Sequence, residues 1–271
     1  MRSPNDTEGI SSRSQPTRLV SRMIIHDELN KHEENVFMEL KRLLSLVRQA
    51  AKEYELIEEG DKIAVGVSGG KDSLALLYAL AKLREFYPEK FEIEAVTVDV
   101  GFNMDFSRIE EFCRGLDVNY TIVKTEIKTI VFDERKESNP CSLCAKMRKG
   151  ALINEIQKLG CNKVAYAHHK DDFVNTLMLS MIYEGRLQSL EAKFMLDGAG
   201  ISVIRPLMLV SEAEVIGFKN KYNLPVAKNL CPVDKHTKRE YVDNLVKEIN
   251  RENPGAKDRM FTAIINGLKI S

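Results

Sequence analysis

The chain has 271 residues, of which 44% are hydrophobic and 30% are charged, and 40 basic side chains balance 40 acidic ones. This length suits one main domain with extensions, and the lack of an apolar run near the roughly 20 residues that span a bilayer argues against a membrane protein. The zero net charge excludes a global basic field, so any nucleic-acid surface must be local.

The number and spacing of the cysteines indicate whether the protein belongs to a reducing or an oxidising cellular compartment. The five cysteines are an odd number, and three of them stand alone in the sequence. This pattern fits a reducing compartment better than a disulfide framework. We therefore expect a cytoplasmic protein whose thiols are available for catalysis or metal binding.

The N-terminal segment, residues 1–32, is rich in Ser, Arg, Pro and Asn and lacks the apolar core of a signal peptide. It is predicted to be a disordered tail. A mitochondrial transit peptide is the alternative, but Asp6 and Glu8 argue against it. A charged amphipathic helix is predicted next, in a segment that we place at residues 33–60.

Short apolar runs rich in β-branched residues then alternate with amphipathic stretches over residues 61–210. This alternation predicts an α/β fold, namely a doubly wound parallel sheet of five strands with helices on both faces. The predicted strands are 62–68, 93–99, 119–124, 163–169 and 201–207. The predicted helices between them are 73–87, 107–115, 145–159 and 171–184. Residues 211–271 are predicted to form a helical appendage with helices at 211–222, 238–251 and 256–268.

The first predicted strand runs into a glycine-containing turn that opens a helix. Two adjacent glycines let the backbone approach an anion closely, and the first N–H groups of the helix carry the positive end of its dipole. The spacing matches neither Gly-x-x-x-x-Gly-Lys-Ser/Thr nor Gly-x-Gly-x-x-Gly, which disfavours P-loop kinases, GTPases and dinucleotide enzymes. A tight turn without a ligand is the alternative. The residues of this phosphate loop are Ser68, Gly69, Gly70, Lys71, Asp72 and Ser73.

The pattern Ser-Gly-Gly-x-Asp-Ser resembles the PP-loop of the ATP pyrophosphatases, a group that includes tRNA thiolases, lysidine synthetases and the synthetase domain of GMP synthetase. The resemblance implies a doubly wound sheet that binds ATP at the carboxyl ends of its strands. It also implies that ATP adenylates a carbonyl oxygen and that a nucleophile then displaces AMP. Lys71 and Asp72 are the catalytic candidates in this loop.

Two further strand ends fit this resemblance. Asp99 ends the second predicted strand, where the family places adenosine, and the fourth strand ends in His-His-Lys-Asp-Asp, which is similar to a family stretch near the reacting phosphate. Asp172 is therefore a candidate for catalysis and for positioning Mg²⁺, although helix capping explains Asp171 and Asp172 equally well. His168, a nucleotide-binding candidate, and His169 are expected to shape the pocket rather than to act as acid or base.

The cysteines help to identify the nucleophile that displaces AMP. Cys141 and Cys144 form a Cys-x-x-Cys pair directly before a predicted basic helix, and Cys231 follows far along the chain in Asn-Leu-Cys-Pro. Such a pair alone serves zinc ribbons, redox motifs and iron-sulfur sites alike. Cys113 and Cys161 lie beside predicted core elements and are expected to be ordinary buried cysteines.

The cysteine pair with its basic helix, the later Asn-Leu-Cys and the stretch from Glu248 to Gly267 together resemble the tRNA 2-thiocytidine synthetases, the TtcA family. The resemblance implies that Cys141, Cys144 and Cys231 ligate a 4Fe-4S cluster and leave one iron without a protein ligand. A Cys3His zinc site completed by His236 is the rival, and a redox pair or a persulfide remains compatible with sulfur transfer.

The resemblance thus implies an ATP-dependent sulfurtransferase that adenylates the C2 oxygen of an anticodon-loop cytidine and replaces it with sulfur. The expected partners are tRNA, a sulfur donor such as a cysteine desulfurase or sulfide, and a second copy in a homodimer. The alternatives are a PP-loop thiolase acting on a uridine or free nucleobase and a non-catalytic, zinc-stabilised nucleotide-binding module. Lys235, Lys238 and Arg239 are candidates for tRNA phosphate contacts, or else the start of an ordinary helix.

Overall fold

The computed structural model describes residues 40–135, 140–196, 198–228, 230–231 and 238–268. The chain divides into two units, Met1–Leu40 and Lys41–Ser271, and the fold below is that of the second. The predicted tail and the start of the predicted N-terminal helix lie outside the described residues, and this helix, α1, is described over residues 40–53. Within the described ranges, no helix is both long and apolar enough to cross a membrane.

A six-stranded sheet forms the centre of the fold. Its strands are β1 (Asp61–Gly66), β2 (Phe91–Asp99), β3 (Asn119–Lys124), β4 (Lys163–Ala165), β5 (Lys193–Leu196) and β6 (Ile201–Ile204). Their order across the sheet is β3-β2-β1-β4-β6-β5, and every neighbouring pair is parallel except β5 with β6. The five predicted strands are the five parallel ones. The predicted count of five was wrong because β5, a short edge strand with an exposed Met195, lacks a long apolar run.

Helices connect and follow these strands. They are α2 (Lys71–Arg84), α3 (Ser107–Gly115), α4 (Pro140–Lys158), α5 (Lys170–Glu184), α6 (Glu212–Lys221), α7 (Lys238–Glu252) and α8 (Ala256–Gly267), with a π-helical stretch at Thr129–Glu134. The main difference from prediction is that α4 begins at Pro140, since proline has no N–H to leave unpaired at the first helical position. Cys141 therefore lies in the first turn of α4 and Cys144 at the start of the second turn, and neither lies before the helix.

The sheet is doubly wound. Strand order runs from β1 through β2 to β3 on one side and through β4 to β6 on the other, so right-handed crossovers place α2 and α4 on opposite faces. Ala64 and Val164 pack with Leu152 of α4 in one core cluster. Ile63, the neighbour of Ala64, is also fully buried and points to the α2 face, because side chains alternate along a strand.

The C-terminal helices pack around one end of the sheet. Helix α6 packs on α2, while α7 and α8 both pack on α5. Phe173 of α5 and Phe261 of α8 meet edge to face with ring centroids 5.8 Å apart. Since α2 and α5 begin at the carboxyl ends of β1 and β4, where strand order reverses, the appendage borders the crevice in which such sheets bind ligands.

Candidate active site

The phosphate loop lies at the carboxyl end of β1. Gly69 has a φ of +82°, and a Cβ there would stand 3.0 Å from the Cβ of Ala227, so this position requires glycine. Ser68 N donates to Ser73 Oγ at 3.2 Å, and Ser73 Oγ donates to the carbonyl of Gly70 at 3.0 Å, which closes the loop. Gly70 is the N-cap of α2 and has no side chain to cap it, so the first N–H groups of α2 suit an anion.

Lys71 begins α2, and carboxylates from two elements hold its ammonium group. Nζ lies 2.8 Å from Oδ1 of Asp72 and 3.1 Å from Oε1 of Glu212 in α6. Burial opposes the charge, but hydrogen bonds and charges from both acids outweigh it and raise the pKa of Lys71. Sequence reasoning missed Glu212, because the capping box from Ser211 signals a helix start there but not which element the helix faces.

His169 belongs to the His-His-Lys-Asp-Asp motif of residues 168–172 and connects this motif to the phosphate loop. The side chain is buried at the start of α5, and its Nε2 lies 3.7 Å from Oδ1 of Asp72. Its Nδ1 is buried without a hydrogen-bond partner in the described part of the chain. Asp172 caps α5, since its Oδ2 accepts a hydrogen bond from the backbone N–H of His169 at 3.0 Å, and its Oδ1 lies 3.9 Å from Nη2 of Arg239.

Asp171 connects the His-His-Lys-Asp-Asp motif to helices α6 and α8. Its Oδ2 accepts a hydrogen bond from the backbone N–H of Glu212 at 2.7 Å, and its Oδ1 pairs with Nζ of Lys257 in α8. Burial opposes ionisation, but the bonds from Lys257 and the Glu212 amide prevail and hold the pKa of Asp171 below its usual value. Lys257 is a second residue that sequence reasoning missed, since it lies 86 positions away.

His168 is a neutral ring at the carboxyl end of β4. Its Nδ1 accepts a hydrogen bond from Nε of Arg205 at 3.0 Å. Burial, with the charges of Arg205, Arg239 and His169, lowers the pKa of His168 to about 3. The ring therefore makes hydrogen bonds rather than exchanging protons at working pH. Sequence reasoning also missed Arg205, although a charged side chain directly after the apolar run of β6 could have indicated a site residue.

Asp99 ends β2, one strand away from the phosphate loop. Its Oδ1 accepts a hydrogen bond from the N–H of Gly101 at 2.9 Å, and its carbonyl accepts one from Oγ1 of Thr125 at 2.8 Å. Both bonds shape the turn after β2. Because β1 and β2 are parallel neighbours, this turn lies at the same edge of the sheet as the phosphate loop.

The structure brings the predicted thiols near one another. Cys141 is exposed, and Cys144 and Cys231 are partly exposed. Burial raises the pKa of Cys144, Arg148 acts in the opposite direction, and the charges of Cys231 and Cys141 raise it further. Cys231 therefore lies within electrostatic range of the pair. Among the described residues, however, no group of three or more His, Cys, Asp or Glu side chains is arranged to hold a metal ion.

The donor set fits three-thiol ligation of an iron-sulfur cluster. Cys113 and Cys161 are buried in the core, and burial raises their pKa values to about 12 and about 11, so neither is available as a fourth thiolate. Thiolates are soft ligands suited to iron-sulfur clusters or zinc. The rival zinc site requires His236, which lies outside the described residues.

A backbone contact links the third thiol to the phosphate loop. The N–H of Ala227 donates to the carbonyl of Gly69 at 3.0 Å. Four residues of extended chain span at most about 14 Å, so Cys231 lies within that reach of Ala227. The segment after α6 thus contacts the phosphate loop within about 14 Å of Cys231.

A doubly wound sheet with Ser-Gly-Gly-Lys-Asp-Ser after its first strand defines a PP-loop ATP-binding protein, and residues 41–248 match the family model for the PP-loop domain. A protein of Pelobacter propionicus named tRNA-cytidine(32) 2-sulfurtransferase is 37% identical over 83% of this chain and 86% of its own. A protein of Aeromonas hydrophila with the same name is 36% identical over 88% and 80%. The chain therefore belongs to the PP-loop family and, within it, to the family of the tRNA-cytidine(32) 2-sulfurtransferases.

The fold also has a solved counterpart. The U34-tRNA thiolase NcsA from Methanococcus maripaludis, solved with its 4Fe-4S cluster, superposes with a TM-score of 0.69. The match covers 85% of this chain and 80% of that one at 24% sequence identity. At this identity the likeness supports the fold, including the helices that follow the sheet.

Proposed function

We propose that the protein is an ATP-dependent tRNA sulfurtransferase that adenylates the C2 oxygen of an anticodon-loop cytidine and replaces this oxygen with sulfur. The observation that carries the proposal is the contact between Ala227 and Gly69, which couples the ATP-binding loop to the segment of the third thiol. The relatives that share 37% of their residues with this chain are named for this reaction.

In the first step, the C2 oxygen attacks the α-phosphorus of ATP, and the bond to the β-phosphate breaks to release pyrophosphate. The N–H groups at the start of α2, Lys71 and the hydroxyls of Ser68 and Ser73 bind the pyrophosphate portion. Asp172 is the candidate for positioning Mg²⁺, because its Oδ1 is not used by the helix cap. Asp72 orients Lys71, which it contacts at 2.8 Å.

In the second step, sulfur attacks C2, and the bond from C2 to the adenylated oxygen breaks to release AMP. Cys141, Cys144 and Cys231 would hold the 4Fe-4S cluster. When bound, such a cluster supplies an iron without a protein ligand as the place of the sulfur nucleophile. Burial raises the pKa of Cys144, and the charge of Arg148, one turn later in α4, acts against this rise and so towards the thiolate.

We infer that a phosphate of the tRNA binds at the start of α7. Arg239 lies 3.9 Å from Asp172, so a phosphate bound there lies beside the reaction centre, and the neighbouring Lys238 adds a second cation. Lys235 lies outside the described residues. The target base must leave its stack to reach the crevice. A cysteine desulfurase or free sulfide is the expected sulfur donor, and a homodimer is expected from the family resemblance.

Anaerobic purification tests the thiol site. We expect a brown wild-type protein, loss of visible absorbance in Cys141→Ala, and retention in Ser142→Ala, an exposed neighbour that serves as the matched control. Cys141→Ala should still exchange pyrophosphate into ATP while sulfur transfer fails, because adenylation depends on the phosphate loop. A colourless wild-type protein with one equivalent of zinc would contradict the cluster.

Nucleoside analysis of tRNA from a deletion strain tests the substrate. We expect 2-thiocytidine to disappear and to return with the wild-type gene, but not with Lys71→Ala or Cys144→Ala. Unchanged 2-thiocytidine together with loss of a thiouridine would move the reaction to a uridine. Unchanged levels of all thionucleosides would point to the free-nucleobase or non-catalytic alternatives.

A further inference from the structure

Arg205 is a buried cation at the end of β6. Its residue is 6% exposed, and among the described residues no carboxylate lies within ion-pair distance of it. Its Nη1 donates to the carbonyl of Glu191, and its guanidinium lies 5.2 Å from the ring centroid of Phe194. Glu191 and Asp172 interact with this charge only from beyond ion-pair distance, and burial still lowers the pKa of Arg205. A buried charge without a direct ion pair is costly, so its presence calls for a role that packing does not explain.

The remaining contact of Arg205 determines which ring nitrogen of His168 carries the proton. Nε of Arg205 donates to Nδ1 of His168 at 3.0 Å. Because a guanidinium keeps all its protons, Nδ1 must be the acceptor, and the single proton of the neutral ring then resides on Nε2. His168 therefore presents a hydrogen-bond donor on the side away from Arg205.

The surroundings hold this arrangement in place. The N–H of Arg205 donates to the carbonyl of Ala192 at 3.0 Å, and the N–H of Tyr166 donates to the carbonyl of Ile204 at 3.0 Å. The ring of Tyr166 meets the ring of His168 edge to face at 5.9 Å. These hydrogen bonds hold the ends of β4 and β6, and the ring of Tyr166 packs against the imidazole, so His168 has little freedom to rotate.

The other side of His168 is available to a ligand. The residue is partly exposed, and no group in the described part of the chain hydrogen-bonds to Nε2. The next residue, His169, lies 3.7 Å from Asp72 of the phosphate loop. The donor thus lies at the edge of the sheet where nucleotide phosphates are expected, and the positive charges of Arg205 and Arg239 both act on His168 there.

We propose that Arg205 is a positioning residue that holds His168 as the Nε2–H tautomer, so that His168 donates a hydrogen bond to a phosphoryl oxygen of the nucleotide during adenylation. The use of this donor in the reaction rests on the proposed function. The tautomer itself does not, because it follows from the contact between the two side chains.

Nitrogen-15 NMR of the imidazole rings tests the tautomer in the wild-type protein, with His168→Asn to assign the signal. We expect an unprotonated Nδ1 and a protonated Nε2 for His168, and a protonated Nδ1 would overturn the proposal. Arg205→Gln should produce a mixture of tautomers, and Arg205→Lys should not restore one form because lysine lacks the planar fork of donors. Arg114→Gln, at an exposed arginine of α3, is the matched control.

Pyrophosphate exchange into ATP tests the role. Loss of a positioned donor typically costs on the order of 100-fold in kcat, so we expect about that loss in His168→Asn, and in Arg205→Gln a smaller loss set by the fraction of the ring in the wrong tautomer, with the KM for ATP nearly unchanged in both. The double variant should lose no more than His168→Asn alone, because Arg205 acts through His168. Multiplied losses, or full activity in Arg205→Gln, would overturn the proposal. Loss of thiolation with the tautomer and exchange results intact would instead count against the tRNA reaction.

Discussion

The ammonium group of Lys71 lies between Asp72 in its own helix and Glu212 in α6. Both carboxylates stabilise its charge, and both compete with a phosphate for it. Asp72 belongs to the loop motif, whereas Glu212 reaches the loop from the C-terminal appendage. Glu212 is therefore the residue at which the appendage adjusts the affinity of the phosphate loop for its anion.

We predict that Glu212→Gln binds ATP more tightly than the wild type, by about two- to five-fold at low salt, because a partly exposed ion pair is worth about 1 kcal/mol or less. Glutamine keeps the side-chain length, and the backbone bond to Asp171 remains. Calorimetric titration with ATP measures the change. Glu85→Gln, which breaks an exposed pair with Lys82, should leave the affinity unchanged. Weaker or unaltered ATP binding in Glu212→Gln would contradict the competition.

At the scale of elements, two ion pairs of different burial join α5 to α8. Asp171, with a side chain only 7% exposed, pairs with Lys257. Lys170 pairs with Asp258 at 2.6 Å, but the Asp258 side chain is 66% exposed. The two pairs connect the same helices, so their different surroundings decide how much each stabilises the packing of α8.

We predict that Lys257→Met lowers the free energy of unfolding by about 3 kcal/mol, because it leaves the buried Asp171 carboxylate without its cation. Lys170→Met should cost about 1 kcal/mol or less, since water screens the exposed pair. Urea denaturation of both variants measures the difference. Equal effects would show that burial of Asp171 does not govern the contact between α5 and α8.

At the scale of the whole molecule, His168 links stability to pH. Its pKa is about 3 in the folded protein against 6.5 for the free side chain, so the unfolded chain binds more protons between these values. Stability therefore rises with pH across this window and is lost as the pH falls through it. Asp171, Glu58 and Glu214, whose pKa values are lowered, act in the same direction, but only near and below their usual pKa range.

We predict that the wild-type protein loses about 1.6 kcal/mol of unfolding free energy between pH 6.5 and pH 5, because the slope rises from about half of its limit at pH 6.5 towards roughly 1.4 kcal/mol per pH unit. In His168→Asn this slope should largely disappear. Urea midpoints at several pH values measure both slopes, and the window above pH 5 separates His168 from the carboxylates. Equal slopes in the two proteins would contradict a His168 ring that stays neutral in the folded protein.

The parts of the fold that sequence predicts here are those with local causes. The five parallel strands follow from β-branched runs, and the phosphate loop follows from two glycines at a strand end. The edge strand β5 was missed because its four residues form a strand only by pairing with β6. The start of α4 was missed because the sequence around Cys141 has no clear apolar period, and Pro140 suits both a loop and a first helical position.

The sequence by itself determined the class of the sheet and the position of the phosphate loop, because both follow from local patterns, and its resemblance to a family indicated the three candidate thiols. Only the tertiary structure decided that Glu212 meets Lys71, that Lys257 meets Asp171, that Arg205 meets His168, and that Ala227 brings the segment of Cys231 to Gly69. These contacts join residues far apart in the chain, and no local propensity encodes them. They depend on how the appendage and the last strand pack, which is where the charges and hydrogen bonds of the site are set.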